Sequence, residues 1–183
     1  MPEAPIVAWQ LFGIKYMKPM IFTLVGKDKR GLIESLAQTV FDLGGNWLSS
    51  NFSHMAGHFA GFVEIRLPQE RHDELIQRFS LHPDLSIKLL VGHDDSIITD
   101  KTAQIDIMGN DRPGIVQELT AILSSFNINI LTFDSRSVSA PNWGGQLFKA
   151  KALIAVDETV QLDNLRYALE DLADDLMVDI TIK

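Results

Sequence analysis

The chain has 183 residues, enough for one domain or two small ones, and no cysteine, which excludes disulfides, thiolate metal sites and a cysteine nucleophile. Its net charge of −8 is unevenly placed: residues 1–93 carry 9 basic and 9 acidic side chains, residues 94–183 carry 7 and 15. An acidic surface repels phosphate backbones, so direct nucleic-acid binding is disfavoured. No apolar run approaches the ~18 residues of a membrane span, and no basic-then-apolar leader opens the sequence, so the cytoplasm is the default compartment.

Residues 1–16 read as an N-terminal extension, either mobile or a short helix from Ile6 to Lys15 that covers a sheet face with Trp9, Phe12 and Ile14. Met20 to Val25 is a β-rich run ending at Gly26. A helix follows with Leu32, Ile33, Leu36, Ala37, Val40 and Phe41 as its apolar stripe, and Gly44-Gly45 stops it. Trp47–Met55 and Phe59–Leu67 read as a hairpin around Ala56-Gly57-His58, with Pro68 ending the second strand. A second helix runs from about Glu70 to Ser80 with Leu75, Ile76 and Phe79 inward. Pro83-Asp84 marks a turn and Leu85–Val91 a last strand. Residues 94–100 are a linker. The same order then returns: strand Thr102–Met108, helix Pro113–Phe126, strand Asn129–Ser139, strand Gln146–Val156, a helix striped by Leu162, Leu165, Leu169 and Leu172, and strand Leu176–Ile182. The loop Pro141–Gly145, with Trp143, is longer than its counterpart and is either a clamp or only a loop.

The organising stretch is Gly109-Asn110-Asp111-Arg112-Pro113-Gly114-Ile115-Val116, a strand-to-helix turn. Pro113 suits the first helical position. Gly109 and Gly114 permit a sharp bend and close approach to the backbone. The free amides of the first helical turn, with the positive end of the helix dipole behind them, accept a carboxylate. Asn110 and Asp111 then suit the ammonium of the same small molecule. Taken alone, the stretch reads first as a well-made helix start whose Asp111 complements the dipole.

It is not alone. Gly26-Lys27-Asp28-Lys29-Arg30-Gly31-Leu32-Ile33 lies 83 positions earlier, and at that offset Asp28, Gly31, Leu36 and Asn46 fall on Asp111, Gly114, Leu119 and Asn129. So long a repeat is a duplicated domain, since solenoid units repeat every ~20–50 residues. Each unit is β-α-β-β-α-β: an α+β, ferredoxin-like fold with a four-stranded antiparallel sheet and two helices on one face. The domains are 17–93 and 101–183. Open sheet edges and small size predict pairing into at least a homodimer.

Asn-Asp-Arg-Pro-Gly-Ile-Val at 110–116, followed by Phe126-Asn127-Ile128-Asn129-Ile130, resembles the ACT domain, a regulatory amino-acid-binding module. Lys-Asp-Lys-Arg-Gly-Leu-Ile at 27–33 and Gly44-Gly45-Asn46-Trp47 resemble it too. Two such units and little else resemble the glycine cleavage system transcriptional repressor family. The resemblance covers residues 18 to 183. It implies a non-enzymatic regulator with a ligand, glycine favoured, at an ACT–ACT interface against the loop after the first strand. It also implies action through a partner activator protein rather than DNA. The ligand-binding residues it points to are Asn110, Asp111, Gly114, Ile115 and Asn129, with Asp28, Gly31 and Asn46 in the first unit. Arg30 stands where the pattern has proline, so the first site is either altered or empty, or Arg30 holds a ligand carboxylate or the other unit.

Other constellations are weaker. His54 and His58 sit in a strand and hairpin without placed carboxylates, which favours a structural or solvent-facing role over metal binding. His72, His82 and His93 are scattered in surface-like contexts. Ser49, Ser50, Ser53, Ser135 and Ser137 lack a nucleophile elbow. Asp171, Asp174 and Asp175 read as a solvated or partner-facing acidic patch. With no acid, base or nucleophile constellation, no cofactor and no metal site, a ligand-responsive regulator leads. The alternatives are an assembly module whose loops bind no ligand, and the detached regulatory subunit of an amino-acid enzyme.

Overall fold

The computed structural model describes residues 17–92, 101–140, 145–157, 160–173 and 175–183. The extension 1–16, the linker 94–100, His93, residues 141–144 with Trp143, and Asp174 lie outside the described residues. Two compact units divide the chain between Ser96 and Ile97.

Unit one runs β1 (Met17–Lys27), α1 (Leu32–Asp42), β2 (Asn46–Met55), β3 (His58–Pro68), a 3-10 turn (Gln69–Arg71), α2 (His72–Ser80) and β4 (Leu85–Val91). Its sheet order is β2-β3-β1-β4, antiparallel throughout. Met20, Phe22 and Leu24 alternate along β1 onto the helix side, and Val63, Ile65 and Leu67 do so along β3. Leu32, Leu36 and Val40 of α1 and Leu75 and Phe79 of α2 close over them. The predicted helix stripes were too wide. Ile33, Phe41 and Ile76 are exposed, Phe41 at 73%, because each lies about 100° round the helix from the i, i+4 row that meets the sheet. His72 corrects the reading in the other direction. It is buried at 8% exposure, with its Nε2 3.3 Å from the Leu67 carbonyl oxygen.

Local chemistry sets the ends of these elements. Gly44, at φ 74, follows the last turn of α1. The Gly45 amide donates to the Val40 carbonyl at 2.9 Å and the Gly44 amide to that of Phe41 at 2.8 Å, the paired bonds of a Schellman stop. Ala56 and Gly57 both take positive φ, as a two-residue type I′ hairpin requires. Pro68 is the last residue of β3 rather than the residue beyond it.

Unit two repeats the plan with β5 (Thr102–Asn110), α3 (Ile115–Ser125), β6 (Ile130–Ser139), β7 (Gln146–Ala155), α4 (Leu162–Glu170) and β8 (Met177–Ile182), in sheet order β6-β7-β5-β8. Ala103, Ile105 and Ile107 meet Ala150, Ala152 and Ile154 beneath Ile115, Leu119, Leu123, Leu165 and Leu169. Asn127, at φ 55, ends α3 in the same way that Gly44 ends α1; the Ile128 amide donates to the Leu123 carbonyl at 3.0 Å. No helix among the described residues is long and apolar enough to cross a membrane.

Candidate functional site

The loop between β5 and α3 is built from the backbone outward. Gly109 pairs with Phe148 and lies against the start of β8. A Cβ there would come within 2.8 Å of Leu176 Cδ1 and 3.3 Å of the Asp175 carbonyl oxygen. Gly26 plays the same part against Asp84 and Leu85 in unit one, which is the physical reason that this glycine recurs. Asp175 then fastens the strand end, its Oδ2 accepting from the Asn110 amide at 2.7 Å. It is thus a structural acceptor rather than part of a free acidic patch. The Asp111 amide donates to the Gln146 carbonyl at 2.9 Å.

Pro113 is not the first helical residue. The Ile115 amide donates to the Arg112 carbonyl at 3.3 Å, and Gly114 sits at φ 88, ψ −7. Those values describe a type II turn with Pro113 and Gly114 as its central residues. The helix begins one residue later, at Ile115, and no side chain caps it. The amides of Val116 and Gln117 are therefore left without an intrahelical acceptor. Unit one makes the same bend: Gly31 has φ 82, ψ 3, and α1 is likewise uncapped. Arg30 replaces Pro113 without changing the turn, since the residue before Gly31 needs no fixed ring to take its conformation.

Arg112 holds the loop from the side. Its Nη1 donates to Glu118 Oε1 at 3.0 Å and its Nη2 to Glu118 Oε2, a bidentate pair. Nη2 also reaches the Leu172 carbonyl oxygen at 3.5 Å. The guanidinium holds the Glu118 carboxyl below its ordinary value, and the carboxylate raises Arg112 in return. In unit one the equivalent cation, Lys29, pairs with Asp84 instead, at 2.6 Å.

An open cleft of about 700 Å³ lies beside this turn, lined by Asp111, Gly114, Val116, Gln117, Thr120 and Ser135, among others. It brings together an exposed carboxylate, two unpaired helix-start amides and the hydroxyls of the edge strand β6. Such a set offers opposite partners to a carboxylate and an ammonium on one small molecule. The sequence had pointed to Asp111, Gly114 and Ile115, and all three line the cleft. Gln117, Thr120, Ser135 and Ser137 line it as well, a placement that the sequence does not predict.

Three sequence candidates do not gather there. Alternation along β5 puts Asn110 on the outer face of the sheet with Asp106 and Met108, away from the helices. Asn129 precedes β6 at the far end of unit two, where its carbonyl accepts from the Ala155 amide. Ala155 pairs with Thr102 at the opposite end of β5 from Asn110. That strand is nine residues long, about 27 Å at ~3.4 Å per residue. Asn46 pairs with Arg66, across from Pro19, so it too lies at the far end from Asp28 and Gly31. His54 and His58 are exposed, and no cluster of metal-binding side chains occurs among the described residues. His82 is a turn residue whose Nδ1 accepts from the amides of Asp84 and Leu85, each at 3.2 Å.

Comparison with known proteins agrees with this architecture. Residues 101–183 match the model of the ACT domain family. A crystal structure of an unknown protein from Galdieria sulphuraria superposes with a TM-score of 0.73 at 23% identity, over 92% of this chain and 98% of that one. A second crystal structure, provisionally named a glycine cleavage system transcriptional repressor, gives 0.62 at 18% identity, over 91% and 98%. At such identities the likeness is one of fold, and that fold is a tandem of ACT-like units. No curated protein matches the sequence.

Proposed function

We propose that this chain is a regulatory sensor whose second ACT unit binds a small amino acid, with glycine the favoured ligand. The observation that carries the reading is the cleft beside the Pro113–Gly114 turn, where Asp111 and the free amides of Val116 and Gln117 stand together. The ligand carboxylate takes the helix-start amides. Its ammonium takes Asp111, and the cleft hydroxyls of Thr120 and Ser135 bound the space left for a side chain. Asn110 and Ile115 shape the turn, their amides bonded to Asp175 and to the Arg112 carbonyl, and Asn129 serves the far end of the unit.

The regulatory role is supported by the ACT family match over the second unit and by the fold shared with the provisionally named repressor. In this reading the output is contact with a partner protein, such as a transcriptional activator, from a cytoplasmic homodimer that does not itself touch DNA. The outer face of the unit-one sheet exposes Ile21, Val25, Phe62 and Leu90, an apolar area of the kind that protein contacts cover. A ligand shifts such a contact only through unequal affinity for two states.

The test is a thermal-shift screen of the twenty amino acids, followed by titration calorimetry on wild type, Asp111→Ala and Asp28→Ala. A charge-assisted hydrogen bond contributes ~1.5–3 kcal/mol, so Asp111→Ala should weaken binding roughly 10- to 150-fold. Asp28→Ala should change it little. Equal affinities in all three proteins, or no binding by any amino acid, would leave the assembly-module reading.

A further inference from the structure

The two units diverge at one rung of their sheets. In unit one Phe52 of β2 pairs with Gly61, which pairs with Leu24. In unit two Ser135 of β6 pairs with Ala150, which pairs with Ile107. Leu24 and Ile107 are 83 positions apart, so Phe52 stands where unit two has the cleft residue Ser135. One rung further from the loop the exchange is reversed. Ser50 pairs with Val63 beside Phe22, and Phe133 pairs with Ala152 beside Ile105. A serine and a phenylalanine have traded places on the edge strand.

The consequence is spatial. A Cβ built on Gly61 would collide with the Asn51 carbonyl oxygen and with Phe52 Cδ1, and the second contact puts the Phe52 ring over Gly61 on the helix side of the sheet. It stacks on Phe59, centroids 5.1 Å apart and planes at 21°, and leans on Trp47 at 6.2 Å. Unit two has a buried alanine, Ala150, in place of that glycine, and a hydroxymethyl in place of the ring. Gly61 is closed to a side chain by the Asn51 backbone as well as by the ring, whereas Ala150 carries its methyl into the core of unit two.

We propose that Phe52 plugs the unit-one counterpart of the ligand cleft, so that each chain holds one amino acid, in unit two alone. Arg30 is not the cause, because Gly31 and Gly114 make the same turn and both helices start uncapped. Unit one keeps the helix start but loses the volume in front of it and gains an aromatic wall where unit two offers the Ser135 hydroxyl. This rests on the amino-acid reading of the unit-two cleft.

The experiment uses the full chain and the twenty amino acids as probes. Calorimetry on wild type should give one equivalent per chain. Amide resonances of Val116 and Gln117 should shift on binding, and those of Ile33 and Glu34 should not. The double variant Ser135→Phe/Ala150→Gly transplants the plug and should lower affinity at least 10-fold. Phe52→Ser should retain the unit-two site within threefold. Circular dichroism checks that each variant is folded, and the resonance map of the unaltered chain decides the question if one is not. Two equivalents in wild type, shifts at Ile33 and Glu34, or undiminished binding by a folded Ser135→Phe/Ala150→Gly protein would overturn the plug while leaving the sensor reading intact. No binding by any amino acid would remove both.

Discussion

Replacing Gly114 tests whether the turn at the cleft is held by backbone conformation or by lack of room. Its φ is 88, and a Cβ there would meet only Glu118 Oε1, at 3.8 Å. Space is therefore ample and strain is the whole cost. A left-handed conformation costs an ordinary L-residue roughly 1–2 kcal/mol. Gly→Ala recovers about 0.4–1 kcal/mol by restricting the unfolded chain. From the middle of each range, the net loss for Gly114→Ala is about 0.8 kcal/mol, a fall in Tm of about 3–6 °C for a unit of this size. Asn is several-fold enriched in this region relative to most residues, worth roughly 1 kcal/mol, so Gly114→Asn should be less damaging than Gly114→Ala although its side chain is larger. Urea denaturation followed by circular dichroism measures both. If Asn proves worse than Ala, crowding governs the position. If Ala is neutral, the turn is not held in the left-handed state.

Two further outcomes follow from the ion pairs and the packing. The carboxyls of Glu118 and Glu74 are held below their ordinary value of 4.5 by hydrogen bonds from Arg112 and from Arg71 and Arg78. Their contribution is complete above pH 4.5 and is lost as pH falls through the lowered values. The urea midpoint should therefore drop in that acid window, and Arg112→Met should flatten part of the drop; a midpoint independent of pH there would count against these pairs as stabilising. In unit one, Phe79→Ala empties a place 2% exposed and edge-on to Phe22 at 4.9 Å, and should cost ~3–5 kcal/mol. Phe41→Ser, on a helix of the same unit, should stay within about 0.5 kcal/mol, and comparable denaturation midpoints for the two variants would refute the assigned helix faces.

Much of the architecture was legible because it is written in local periodicity. Alternation at Ile105–Asp106–Ile107, the leucines of the helices and the glycines of the loops each depend on neighbours a few positions away. A repeat at constant offset then made one reading serve for two units. The recurrence of Gly26 and Gly109 is likewise visible in the sequence, although its cause, the start of β4 or β8 lying against the glycine, is a contact across the sheet. The limits of each helix face were not legible: Ile33 and Phe41 satisfy an apolar stripe, but only the width of the surface beneath α1 decides which residues reach it. His72 fails for the same reason in reverse.

The site divides along the same line. That the loop 109–116 is a turn with free amides follows from Gly114, an uncapped start and the residues between. Which side chains share that space depends on strand alternation and order. Alternation sends Asn110 to the other face, and chain direction carries Asn129 to the other end of β5. Sheet order β6-β7-β5-β8 puts Ser135, more than twenty positions away in sequence, beside Asp111. Arg30 drew notice because it breaks a motif that can be read along the chain. Phe52 did not, because an aromatic residue on an amphipathic strand is unremarkable until its register with Gly61 places the ring where the other unit keeps a cleft.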